Sequence, residues 1–130
     1  MTRHTPQRFE VVDAQLQKVP AVAVRGEVDM AAVPALELAL DGAIRDSAGT
    51  FVRTFVLDLR EVEFLDSSGL HLILRARALL AREDRPLAIV CPSGPVRRLF
   101  EEAGVADLLV LYDSPEEVAT ALVPVPAPAD

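Results

Sequence analysis

A chain of 130 residues has the length of one domain, and at that size folding buries about two-thirds of the unfolded chain's surface, so a core without disulfide or metal staples is feasible. Apolar residues make up 51% of the chain and charged residues 25%, the composition of a globular rather than a disordered protein. The formal net charge of −7 comes with no basic block anywhere, which argues against nucleic acid as a partner, because that affinity rests on neutralised phosphates.

No apolar run reaches the roughly 18 residues that a membrane span needs. The start, Met1-Thr2-Arg3-His4-Thr5-Pro6, lacks the apolar stretch of a signal peptide. Together these predict no membrane partner and a cytoplasmic location. Cys91 is the only cysteine and sits in the apolar run 87–91, where it reads as a small core residue. With His4 and His71 as the only histidines, no metal site is predicted.

In chain order, Phe9–Leu16 alternates weakly and reads as a first strand, followed by a polar turn at Gln17 and Lys18. Residues 21–26 read as a second strand in an antiparallel hairpin with the first, and Pro20 fits its start. Val33, Leu36, Leu40, Ala43 and Ile44 then recur at helical spacing, with Pro34 in the first turn. After loop chemistry at 46–50, residues 55–59 form a third, β-branched and aliphatic strand. A short connection leads to a helix capped by Asp66, whose acceptor side chain suits the orphan amides of the first turn. Arg82-Glu83-Asp84-Arg85-Pro86 reads as a charged turn into a fourth strand at 87–91. Val96, Leu99, Phe100 and Ala103 mark a short helix after the loop 92–95, in which Ser93 is a candidate cap, and Gly104 ends it. Residues 108–111 read as a fifth strand, and Asp113-Ser114-Pro115-Glu116-Glu117 opens a last helix with a capping residue, an early Pro and two acids. Strands alternating with helices predict an α/β domain whose later strands run parallel.

The helix after the third strand carries the densest information. At 3.6 residues per turn, Gly69, Leu72, Ile73, Ala76, Leu79 and Leu80 fall on one face, the predicted buried one. Ser67 heads the opposite face, in line with His71, Leu74, Arg75, Ala78 and Arg82, while Ser68 lies between the faces. Ser67 is therefore the reachable hydroxyl, with Leu70 and Leu74 as its apolar neighbours on the outer half. Gly69 costs about 1 kcal/mol of helix propensity relative to Ala, which predicts a close backbone approach there. Because sites in such sheets form outside the carboxyl ends of the strands, the connections bearing Asp29 and Asp66 are expected to lie near each other.

Three ordered blocks carry a family resemblance: Gly26-Glu27-Val28-Asp29; Val56-Leu57-Asp58-Leu59 with Phe64-Leu65-Asp66-Ser67-Ser68-Gly69-Leu70; and Pro95-Val96-Arg97-Arg98-Leu99-Phe100 with Gly104. In these the chain resembles the STAS domain, in its bacterial anti-sigma factor antagonist form. The resemblance implies a STAS-type mixed sheet of four to five strands packed with about four helices, with an exposed helix after the third strand. It covers residues 9–122, between an expected flexible N-terminus at 1–8 and a proline-rich flexible tail at 123–130. The chain departs from the family pattern in that tail and at His71, where a smaller residue is usual.

Proteins of this kind bind an anti-sigma factor that is also a serine kinase, freeing a sigma factor. They lose that ability when the kinase phosphorylates a serine of the signature, and a metal-dependent serine/threonine phosphatase resets them. Carried over residue by residue, the phosphoacceptor falls on Ser67, with Asp66 and Asp29 on the matching acidic positions. The expected partner-binding residues are Asp29, Asp66, Ser67, Ser68, Gly69, Leu70, His71 and Leu74. The reading assigns no catalytic residue and no cofactor. A serine hydrolase using Ser67 and His71 would need an orienting acid and usually a Gly-x-Ser-x-Gly elbow, which Leu65 and Asp66 replace. A STAS subunit of a lipid-transport or stress-sensing complex keeps the fold in another context. A nucleotide binder lacks its glycine-rich cradle and P-loop lysine here.

Overall fold

A computed structural model describes residues 9–16, 19–49 and 52–121. The expected flexible ends, 1–8 and 123–130, and the turn at Gln17 and Lys18 lie outside the described residues. The strands are β1 (Phe9–Leu16), β2 (Val19–Val28), β3 (Phe55–Leu65), β4 (Leu87–Val90) and β5 (Val110–Tyr112). The helices are α1 (Val33–Asp46), α2 (Ser67–Ala81), α3 (Pro95–Glu102) and α4 (Pro115–Ala121). The strands form one mixed sheet in the order β1-β2-β3-β4-β5. β1 pairs antiparallel with β2, and the remaining neighbours are parallel. Parallel neighbours need a crossover, and α1, α2 and α3 supply one each.

Side-chain alternation divides the core between the two faces of the sheet. One face presents Val22, Val24, Leu57 and Ile89 to Leu36 and Leu40 of α1, Ile73 and Leu80 of α2, and Phe100 of α3. The other presents Ala21, Val56, Ala88 and Val90 to Val118 of α4. The crossover helices thus share one face and α4 takes the other, which is why the central strands read as nearly continuous apolar runs. Each fully buried Leu, Ile or Phe contributes about 1.5–3 kcal/mol over its exposed state. Cys91 is buried in the first cluster, as its apolar neighbours predict.

Several boundaries differ from the sequence reading. β3 runs to Leu65 rather than ending near Leu59, so the connection to α2 is Asp66 alone. The register against β2 shifts twice, between Ala23 and Arg25 and between Gly26 and Glu27, each shift giving β3 one extra residue. Asp58 secures the first irregularity, accepting the Arg60 N–H at 3.0 Å and the Arg60 guanidinium at 2.7 Å. Exposed Arg60, Glu61 and Glu63 give this half of the strand the polarity of a loop. Ser93 makes no cap bond to α3, which begins after Gly94. Gly104, at φ +74°, ends α3 by letting its own N–H reach Glu101 O and the Val105 N–H reach Phe100 O, a Schellman closure. A 3-10 turn at Ala106–Leu108 delays β5 to Val110. Of the two short polar residues before α4, Ser114 is the cap, its Oγ accepting the Glu117 N–H at 3.2 Å while the Glu117 carboxylate accepts the Asp113 N–H at 2.7 Å.

Arg85, read as part of a charged turn, is buried. Its guanidinium donates to Arg53 O at 3.0 Å, Ile44 O at 3.0 Å and Ser47 Oγ at 2.8 Å, and lies 5.9 Å from the centre of the Phe55 ring. It ties the end of α1 to the start of β3, at the opposite end of the sheet from Asp66.

Candidate functional site

At the carboxyl end of β3 the chain passes from extended backbone into α2 in one residue. Asp66, itself extended at φ −99° and ψ −175°, caps the helix: Oδ1 accepts the N–H groups of Ser68 at 3.0 Å and Gly69 at 3.2 Å. The same oxygen accepts the Ser68 hydroxyl at 2.5 Å. The Ser68 hydroxyl holds the Asp66 carboxyl below the usual carboxylate range, against the opposing effect of burial. The amides of Gly69, Ser68 and Met30 add to that lowering. A side-chain oxygen serving N2 and N3 amides is worth about 1 kcal/mol to a helix.

Asp66 also joins the site to the neighbouring strand. Its N–H donates to Val28 O at 3.2 Å, continuing the β2–β3 ladder, and the next residue, Asp29, turns the chain toward α1 by accepting the Ala32 N–H on Oδ1 at 3.1 Å. The connections bearing Asp29 and Asp66 therefore adjoin, as the topology predicts.

Gly69 is buried under the ends of both strands. A Cβ placed on it would lie 2.4 Å from Leu65 Cδ1 and 2.9 Å from Val28 Cγ1, closer than carbon atoms pack. This is the close approach expected from a glycine inside a helix. Ser67 is exposed, and its side chain has no hydrogen-bond partner among the described residues. His71, Arg75, Ala78 and Arg82 continue its exposed line, and Arg75 pairs with Asp41 of α1 at 3.0 Å. The two serines are thus chemically distinct: the Ser68 hydroxyl is committed to Asp66, and that of Ser67 is free.

Leu70 corrects the sequence reading. It is only 6% exposed and belongs to the main core, rather than flanking Ser67 on the outer half. Leu74 is partly buried and packs against the same core. The physical reason is that α2 packs against α1 as well as the sheet, so its buried arc is wider than one helical stripe. Sequence reasoning also missed two exposed apolar residues at this end of the sheet. Met30, 75% exposed, follows Asp29, and Phe64, 48% exposed, pairs with Glu27. Phe64 stands inside the quoted signature, but the register shift that sets its orientation has no sequence signal.

The chemistry available at this site is that of a binding surface. His71 is exposed and has no hydrogen-bond or ion-pair partner among the described residues, hence no orienting acid. Burial pushes the Cys91 thiol up to about 11, away from thiolate reactivity. Among the described residues no group of three or more His, Cys, Asp or Glu is placed to hold a metal ion. No helix among them is long and apolar enough to cross a membrane.

Comparison with known proteins agrees with this geometry. The sequence model of the STAS domain matches residues 11–118. The anti-sigma-B factor antagonist of Staphylococcus aureus (strain NCTC 8325 / PS 47) is 36% identical over 95 residues, spanning 73% of this chain and 84% of that protein. A crystal structure of an anti-sigma factor antagonist from Mycobacterium paratuberculosis has a TM-score of 0.79 at 30% identity, covering 91% of this chain and 97% of that one. The structure of the anti-sigma factor antagonist SpoIIAA in its unphosphorylated form has a TM-score of 0.59 at 25% identity, covering 87% and 94%.

Proposed function

The chain belongs to the STAS domain family, and from that premise we propose that it is an anti-sigma factor antagonist, a regulatory binding protein rather than an enzyme. It binds an anti-sigma factor and so releases a sigma factor. The anti-sigma factor is also a serine kinase, which ends the interaction by phosphorylating Ser67, and a metal-dependent serine/threonine phosphatase restores it. Asp29, Asp66, Ser67, Ser68 and His71 contribute to the docking surface, with Gly69 and Leu70 supporting it from below and Leu74 at its edge.

One observation carries the reading: two adjacent serines at a helix entrance have opposite roles. The Ser68 hydroxyl is held by Asp66 Oδ1 at 2.5 Å, whereas Ser67 is exposed with its hydroxyl free. A kinase reaches the second at no cost to the fold and the first only by breaking its hydrogen bond to Asp66. Two amides at this helix start, those of Ser68 and Gly69, are already bound by Asp66. The new dianion therefore gains little from the helix dipole, which offers about 0.3–1 kcal/mol in favourable cases. It also meets repulsion from Asp66 and Asp29. Its main effect falls on the docked state, where an uncompensated charge pressed against a partner loses water at a cost of several kcal/mol.

The test is incubation with the anti-sigma kinase and ATP. Wild type and Ser68→Ala are modified, and Ser67→Ala is not. Labelling of Ser67→Ala at the wild-type level contradicts the assignment.

A further inference from the structure

The last strand pair between β3 and β4 is Asp58 with Val90. Beyond it, β3 has β2 on one side and, among the described residues, no strand on the other. Within 61–65, the backbone groups turned away from β2 make no hydrogen bond to any described residue. An unpaired strand edge of this kind is a template for another strand, and here it is flanked by a groove. The groove has a volume of about 330 Å³ and lies between this edge and α3. That is roughly ten times the ~30 Å³ share of one water. Leu65 and Val96 lie at its base, and Leu99 and half-exposed Phe64 flank it. Glu63, Glu102 and Arg98 line its mouth, and none of the three side chains has an ion-pair or hydrogen-bond partner among the described residues.

We infer that this edge is a second docking site, where an extended segment of the anti-sigma factor adds to β3. An apolar side chain of that segment enters the groove and a neighbouring basic residue faces Glu63 and Glu102. The inference rests on the function proposed above and extends it to a surface outside α2. Three features support this occupant. The unpaired backbone donors and acceptors match an extended peptide, the mode in which ladder bonds give affinity and alternate side chains give specificity. Two carboxylates against one guanidinium favour a basic segment, and a second copy of a chain with net charge −7 meets like charge there. The groove is also close to the proposed phosphoacceptor along the chain: Leu65 lines it and Ser67 follows two residues later, at most ~7 Å along the chain. A partner seated on Ser67 therefore reaches it.

The experiment titrates the anti-sigma factor with wild type, Phe64→Ala, the double variant Glu63→Lys with Glu102→Lys, and Ser67→Glu. Amide exchange over 61–65 is followed in the free protein and in the complex. Both groove variants alter exposed side chains and are expected to melt as wild type, yet to bind about tenfold more weakly. Exchange at 61–65 is expected to slow at least tenfold in the complex. Groove variants that bind at full strength while Ser67→Glu does not, with exchange at 61–65 unchanged, overturn the inference and leave the function standing. Wild type that binds no anti-sigma factor overturns both. A concentration-dependent dimer abolished by Glu63→Lys makes a second copy the occupant and also overturns the inference.

Discussion

Replacing Gly69 by Ala tests how tightly α2 is set onto the sheet. The added methyl would lie 2.4 Å from Leu65 Cδ1 and 2.9 Å from Val28 Cγ1, with Leu65 Cγ at 3.3 Å, whereas carbon atoms pack at about 3.5–4.0 Å. Relief demands that Leu65 change rotamer or that the helix entrance shift by about 1 Å, and both neighbours are buried. Overpacking of this kind costs about 1–3 kcal/mol, and Ala returns about 1 kcal/mol of helix propensity. The expected net loss is about 1 kcal/mol, or a fall of about 4 °C in Tm. Urea unfolding measures it, and a double-mutant cycle with Leu65→Ala isolates the cause. With Leu65 shortened, the 2.4 Å contact is gone and only the 2.9 Å approach to Val28 Cγ1 remains, so Gly69→Ala is expected to cost less than in the wild-type background. An equal loss in both backgrounds, or an Ala variant at least as stable as wild type, refutes the contact as the reason for glycine.

Three further variants probe the site's footing. Leu70→Ala removes a core side chain and is expected to cost 2–5 kcal/mol in urea unfolding; a loss below about 1 kcal/mol would return Leu70 to the outer surface. Asp66→Ala is expected to cost about 1 kcal/mol at pH 7. Because folding lowers the Asp66 pKa from 3.8, this contribution is present above the unfolded value and lost as pH falls through the folded one. The stability gap between wild type and Asp66→Ala therefore narrows below about pH 4, and a gap independent of pH contradicts the capping role. Ser68→Ala removes the largest cause of the shift, so the Asp66 carboxyl titrates at higher pH in that variant, as followed by NMR.

The sequence made the site's local chemistry legible and left its surroundings obscure. Asp66 as a cap, Ser67 as the reachable hydroxyl and Gly69 as a point of close approach all follow from helix geometry and short-range hydrogen bonding, which sequence spacing encodes directly. Leu70 did not follow, because periodicity defines one buried stripe, and the second contact of α2, against α1, depends on how two helices lie together. The second half of β3 escaped detection because two register shifts broke its alternation and charged residues coloured it as a loop. Arg85 was opaque for a related reason. Its partners, the carbonyls of Ile44 and Arg53, are backbone groups distant in sequence, so nothing beside Arg85 marks it for burial. The order of strands and helices was legible throughout, since each element's own pattern suffices to identify it.

The central claim is that one phosphate on Ser67 separates this protein from its anti-sigma factor without disturbing its fold. A desolvation cost of about 4 kcal/mol in the docked state corresponds to roughly a thousandfold loss of affinity. The direct measurement is titration of the anti-sigma factor with unmodified and Ser67-phosphorylated protein, alongside amide NMR spectra of both forms. The expected result is a roughly thousandfold weaker complex with spectral changes confined to the start of α2 and the adjoining turn at Asp29. Binding weakened less than about fivefold, a loss of roughly 1 kcal/mol, or spectral changes spread across the sheet, would contradict it.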